Sequence, residues 1–221
     1  MQPNKIKAII FDFDGVIAES VNVKTEAFSK MYAKYGSDIA EKVVEHHLSH
    51  GGISRFEKFK FYHKEYFGIE LTNQQLQELA NQFSELVVQK VIAAPYVPGA
   101  LEFIQNNYKY YDLFISSGTP EDEIIEIITK KKIDIYFNSI HGSPGEKTDH
   151  VKNIISQKDY GKDEIIFIGD ADTDILAAKE NDIPIVLRVH PYSNCNCDYN
   201  KLIKIENLIN LVDVLVFSGN N

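Results

Sequence analysis

Three places in the chain carry carboxylates in patterns that can do chemistry. Asp12 and Asp14 stand one residue apart, with Gly15 next. Asp170, Asp172 and Asp174 repeat the spacing after Gly169. Between them lie Ser116-Ser117-Gly118 and a lone Lys147 that follows Gly142-Ser143-Pro144-Gly145-Glu146. Carboxylates at the end of an apolar run are costly unless something compensates them. A hard divalent cation such as Mg²⁺ does so, with oxygen ligands from one or two carboxylates, from waters and from a substrate phosphate. Asp12 and Asp170 can supply those carboxylates. With the cation screening charge, one Asp can attack phosphorus while the other, two residues on, exchanges a proton with the leaving oxygen. Lys147 and Ser116 can hold the phosphoryl oxygens, with Ser117 and Gly118 beside them as substrate contacts.

These groups need a scaffold that brings distant segments together. Ile9-Ile10-Phe11 reads as a buried strand that ends on Asp12. Tyr111 to Ser116, Tyr136 to His141, Ile165 to Ile168 and Ile185 to Val189 read as further strands, with helical stretches between them. Thr119-Pro120-Glu121-Asp122 reads as a helix start with Thr119 as its capping hydroxyl. Leu202 to Val212 reads as a helix and Val214 to Phe217 as a last edge strand. Such alternation predicts a parallel sheet with helices on both faces. In a sheet of that kind ligands bind at the carboxyl ends of the strands.

Residues 18–94 break the alternation with helical periodicity throughout. Asp38 with Glu41, and Thr72 with Gln75, read as capping pairs, and Ser54 as a cap. Phe56, Phe59, His63 and Phe67 form an aromatic stripe that reads as core packing. Pro95 and Pro98 then mark a hinge at Ala94 to Gly99. The expected architecture is an α/β, doubly wound Rossmann-like parallel sheet core, residues 1–17 and 95–221, with an inserted α-helical cap, residues 18–94.

Composition narrows the partners. The 221 residues carry a net charge of −9, which argues against a nucleic-acid surface, and no apolar stretch reads as a membrane span. A cytoplasmic location and a small phosphorylated metabolite as partner are expected. Cys195 and Cys197 lack the further ligands that a zinc site needs and read as loop cysteines.

Phe11-Asp12-Phe13-Asp14-Gly15-Val16-Ile17, Ile115-Ser116-Ser117, Lys147 and Gly169-Asp170-Ala171-Asp172-Thr173-Asp174 resemble, in order, the four motifs of the haloacid dehalogenase superfamily. The insertion is similar to the helical cap of its phosphoglycolate phosphatase and β-phosphoglucomutase branch. The resemblance implies that Asp12 is a nucleophile forming an aspartyl phosphate and that Asp14 is the general acid/base. Ser116 and Lys147 would bind the transferring group. Asp12, the Asp14 backbone carbonyl, Asp170 and Asp174 would serve Mg²⁺, Asp174 directly or through water. Gly52-Ile53-Ser54-Arg55 resembles the cap loop of these enzymes, which makes Arg55 a candidate substrate contact. Lys24 falls where β-phosphoglucomutases place a histidine that assists the acid/base Asp. Asp182 stands where the helix after the fourth motif usually ends in glycine. The reaction expected is hydrolysis of a small phosphate monoester, with a β-phosphoglucomutase-like transfer and a non-catalytic binding protein as alternatives.

Overall fold

The structure is a computed structural model that describes residues 5–193 and 202–218. Its centre is a six-stranded sheet in the order β3-β2-β1-β4-β5-β6, every pair parallel. The strands are β1 (Ala8–Phe11), β2 (Asp112–Pro120), β3 (Ser139–Ser143), β4 (Ile165–Gly169), β5 (Ile185–Arg188) and β6 (Ile203–Ile205). Parallel strands are buried on both faces, so they read as continuous apolar runs; all four residues of β1 are buried. Strand order reverses between β1 and β4, the place where Rossmann-like sheets bind ligands.

Helices cover both faces. α7 (Lys147–Lys158) and α8 (Asp172–Glu180) bury Val151, Ile154, Ala177 and Ala178 against Ala8, Ile10, Phe114 and Phe167. On the other face α5 (Ala100–Asn107), α6 (Glu121–Lys130) and α9 (Leu211–Ser218) pack Phe103, Ile104, Ile124, Ile128 and Leu215 over Ile9, Phe11 and Ile115.

Between β1 and α5 run four helices, α1 (Val21–Tyr32), α2 (Ser37–Ser49), α3 (Arg55–Phe67) and α4 (Asn73–Ala93). Their apolar faces meet in Phe28, Tyr32, Val43, Phe59, Tyr62, Phe83 and Val87, continuous with the core on that side of the sheet. Phe59 and His63 of the aromatic stripe are buried, as core packing requires. The outgoing and returning chains are tied together: Val97 N donates to Ile17 O and Glu19 N to Pro95 O, each at 2.9 Å.

Several local expectations hold. Ser54 accepts from Phe56 N, and Thr72 with Gln75 forms a complete capping box. Asp182 adopts a positive φ of 54° after α8. Others are corrected. The C-terminal assignment is reversed: Ile203–Ile205 is a strand and Leu211–Ser218 a helix. Pairing with β5 makes Ile203–Ile205 a strand, which helical propensity cannot reveal. Asp38 lies inside the first turn of α2 and does not cap it; Gly36 holds that position. Thr119 is the eighth residue of β2, and its hydroxyl caps nothing. Cys195 and Cys197 lie outside the described residues. Among those described, no helix is long and apolar enough to cross a membrane.

Candidate active site

The four sequence segments converge at the carboxyl ends of β1, β2 and β4. Asp12 follows β1 directly, and its Oδ1 accepts from Phe13 N at 2.6 Å. Lys147, the first residue of α7, is buried and reaches both ways: its Nζ donates to Asp12 Oδ2 at 2.8 Å and to Asp174 Oδ1 at 2.6 Å. A lysine at a helix start is ordinarily solvated; this one is 6% exposed, held by two buried carboxylates. Burial pushes the Asp12 carboxyl up to about 7, despite the downward pull of Lys147.

Asp174 is fully buried. Its Oδ2 accepts from Asp170 N and Ala171 N, each at 3.1 Å, so it orders the turn from β4 into α8. Asp170 lies across the turn from Gly15. A β-carbon on Gly15 would come within 2.2 Å of Asp170 Oδ2, and φ of +78° there also calls for glycine. His190 Nε2 lies 2.7 Å from Asp170 Oδ2, and Tyr192 N donates to Nδ1, which makes Nε2 the protonated nitrogen.

Asp12, Asp170 and Asp174 each offer one oxygen, all within 4.8 Å of one another. Three hard oxygen donors converging at two strand ends suit a divalent cation such as Mg²⁺. Asp174 is the most committed of the three, because Lys147 and two backbone amides already occupy it.

The environment of Asp14 differs from that of Asp12. Burial acts to raise its carboxyl, but Lys24, Ser20 and Thr119 outweigh burial and hold it below the usual carboxylate range. Ser20 Oγ donates to Oδ1 at 2.6 Å, Thr119 Oγ1 to Oδ2 at 3.1 Å, and Lys24 Nζ pairs with Oδ2. Two carboxylates two residues apart are therefore shifted in opposite directions. On β2, Ser116 Oγ lies 2.9 Å from His150 Nδ1, and Ser117 Oγ accepts from Thr119 N at 3.2 Å. Burial pushes His150 down to about 4, so the ring beside Ser116 is neutral.

The helices close over this floor. A cavity is lined by Asp12, Asp14 and Asp170 below and by Lys24, His47 and Lys58 above. Gly51 and Gly52 bring the α2–α3 loop down onto the sheet end. Gly52, at φ +74°, sits where a β-carbon would strike Thr173 Oγ1, and its carbonyl packs against Gly118. Arg55 lines the cavity, but its guanidinium is spent elsewhere. Nη1 and Nη2 donate to the two Glu123 oxygens at 2.8 and 2.5 Å, and Nη1 also reaches Ser84 Oγ at 2.8 Å.

Sequence reasoning missed Thr119, Glu123, Arg188 and His190. Arg188 ends β5 and is buried; it donates to Gly15 O at 2.6 Å and pairs with Glu19, which fixes the turn after Asp14. The signal that marked Asp12, a charge at the end of a buried strand, was present there too.

The sequence profile of the haloacid dehalogenase-like hydrolase family matches residues 9–187. No curated protein matches the chain. Solved structures share its fold, among them the three that follow. A haloacid dehalogenase-like family hydrolase from Streptococcus pneumoniae is 20% identical, covers 95% of this chain and 99% of its own, and superimposes with a TM-score of 0.69. A predicted phosphoglycolate phosphatase from Haemophilus somnus is 16% identical over 96% and 99%, with a TM-score of 0.72. A β-phosphoglucomutase from Clostridium difficile is 19% identical over 97% of each chain, with a TM-score of 0.75.

Proposed function

The chain belongs to the haloacid dehalogenase-like hydrolases, and from that premise we propose that it hydrolyses a small phosphate monoester, with Mg²⁺, through an aspartyl phosphate on Asp12. The observation that carries this reading is Lys147, whose one ammonium joins Asp12 to Asp174 at the meeting point of β1, α7 and α8.

In this reading Asp12 and Asp170, with the backbone carbonyl of Asp14, would hold the cation, and Asp174 would support its shell directly or through water. The bound ion offsets the repulsion between Asp12 and an anionic phosphate. Asp12 attacks phosphorus, and the bond to the leaving oxygen breaks as that oxygen is protonated by Asp14, which must first take up a proton from solvent because its contacts hold it ionised in the free site. Asp14 then takes a proton from the water that hydrolyses the aspartyl phosphate. Lys24 and Thr119 hold Asp14 ionised, ready for that second step. Lys147 and the Ser116-Ser117-Gly118 end of β2 stabilise the phosphoryl oxygens. Residues 18–94 act as a cap over a core of residues 1–17 and 95–221, opening at the hydrogen-bonded connecting segments near Ile17 and Val97. Arg55 belongs to the closure of that cap, because its charge is already answered by Glu123.

Phosphate release from a panel of monoesters with Mg²⁺ tests this reading, with Asp12→Asn as the control. Turnover that survives Asp12→Asn rules it out. A phosphomutase is the second reading. It is favoured by the seating of the cap loop against Gly118 and Thr173, because water must be kept from an aspartyl phosphate that is to be transferred. Isomer formation without phosphate release would choose it.

A further inference from the structure

The charges around the cavity pair off one by one. Lys24 is matched by Asp14, Arg55 by Glu123, and Lys147 by Asp12 and Asp174. Among the described residues one cavity ammonium remains. Lys58, on α3, is 3% exposed and lines the same cavity as Asp12 and Asp170. Its only hydrogen-bond partners among the described residues are Nδ1 of His47 at 2.8 Å and the His47 carbonyl at 3.4 Å. No carboxylate acts on it; burial, and then the like charge of Lys24, push its amine down to about 7.

His47 repeats the pattern. Its ring is 8% exposed, packs on Phe28 and lines the cavity, and its Nε2 has no partner among the described residues. With the Lys58 ammonium donating to Nδ1, the ring proton sits on Nε2. Two donors in the roof, Nε2–H and the remaining N–H of Lys58, thus lack an acceptor among the described residues. Leaving buried donors unpaired costs about 1–3 kcal/mol for each, so something supplies oxygen there.

We propose that Lys58 and His47 form a recognition site for a second anionic group of the substrate, a carboxylate or a further phosphate. Resting on the phosphatase reading, this narrows the substrate class to phosphate monoesters that carry another negative charge. The reacting phosphoryl group has its own cation in Lys147, held on Asp12 and Asp174, so the roof pair is left for the rest of the molecule. Neutral sugar-like ends would leave the ammonium unmatched.

Binding separates this proposal from turnover. Calorimetric affinities would be compared for ethylphosphonate, phosphonoacetate and ethane-1,2-bisphosphonate on the Mg²⁺-loaded protein. At least one of the two doubly charged probes is expected to bind about ten- to a hundredfold more tightly than ethylphosphonate. A gain for phosphonoacetate alone assigns a carboxylate, and a gain for the bisphosphonate alone assigns a phosphate. Lys58→Met should bring the ratio towards one, and His47→Phe, which removes the other donor, should lower it independently. Equal affinities in the parent protein, or a ratio unchanged in both variants, overturn the proposal. A ratio that holds while no monoester is hydrolysed sinks the phosphatase reading and leaves the anion site standing.

Discussion

Arg55 of α3 and Glu123 of α6 meet with both arms of the guanidinium on both carboxylate oxygens, in a place where neither side chain is more than 8% exposed. The Arg55 guanidinium also lies over the Phe83 ring, 4.6 Å from its centroid. One charge comes from the helical insertion and the other from a helix on the sheet.

Breaking this pair from one side should be costly. Glu123→Ala leaves a buried guanidinium without its carboxylate, and a loss of about 3–5 kcal/mol in unfolding free energy is expected from urea denaturation. The joint variant Arg55→Met with Glu123→Leu should lie within about 1–2 kcal/mol of the parent, because it removes both desolvation costs. Losses that simply add would show that the two residues are not coupled.

Asp12→Asn should lower phosphate release by about a thousandfold or more while leaving the melting temperature near that of the parent. The substitution keeps the shape of a side chain that touches Phe13 N and Lys147. Continuous phosphate detection checks the first part and calorimetry the second.

Mg²⁺ should stabilise the folded chain, because Asp12, Asp170 and Asp174 come together only there. At ten times the dissociation constant the gain is about 1.4 kcal/mol, read as a rise in melting temperature that EDTA reverses. Asp170→Asn should remove most of the shift.

Lys58→Met should stabilise the protein at neutral pH by about 1–3 kcal/mol, since it replaces a buried amine that no carboxylate balances. The sign with pH follows from linkage. The folded amine titrates near 7 and the unfolded one near 10.5, so between those values the unfolded chain binds more protons and stability rises with pH. The advantage of the variant should therefore shrink from pH 7 towards pH 10. Lys24 and His47 face the same amine, and both are retained in the comparison. A gap that stays constant across this range would contradict the shift.

The strands, and the meeting of Asp12, Lys147, Asp170 and Asp174 at their ends, were the legible part of the sequence. Ile9 to Phe11 and Ile165 to Ile168 are continuous apolar runs that stop at aspartate, so they announce both the strand and its working end. The ends of the chain's contacts were less legible. Thr119 carries the composition of a helix cap, yet β2 runs long enough to bring its hydroxyl to Asp14, 105 residues away in sequence. Arg55 reads as a free cation because Glu123 lies 68 residues further on. Lys58 and His47 sit on an otherwise ordinary helical pattern; only the packing of α2 on α3 shows that their nitrogens face inward without an acid. Strand β6 gains its conformation from pairing with β5, which no local pattern encodes.

The seat of Gly52 has a consequence for size. Its carbonyl lies against Gly118 and its α-carbon against Thr173, so the loop stands between Asp12 and that side of the bulk solvent. A phosphorylated residue on the surface of a folded protein would bring its backbone with it and would have to lift that loop off both contacts. A free metabolite would have to do so only while it enters and leaves. Under the proposed function, the two contacts that seat this loop on the sheet end would therefore favour detached molecules over polymers.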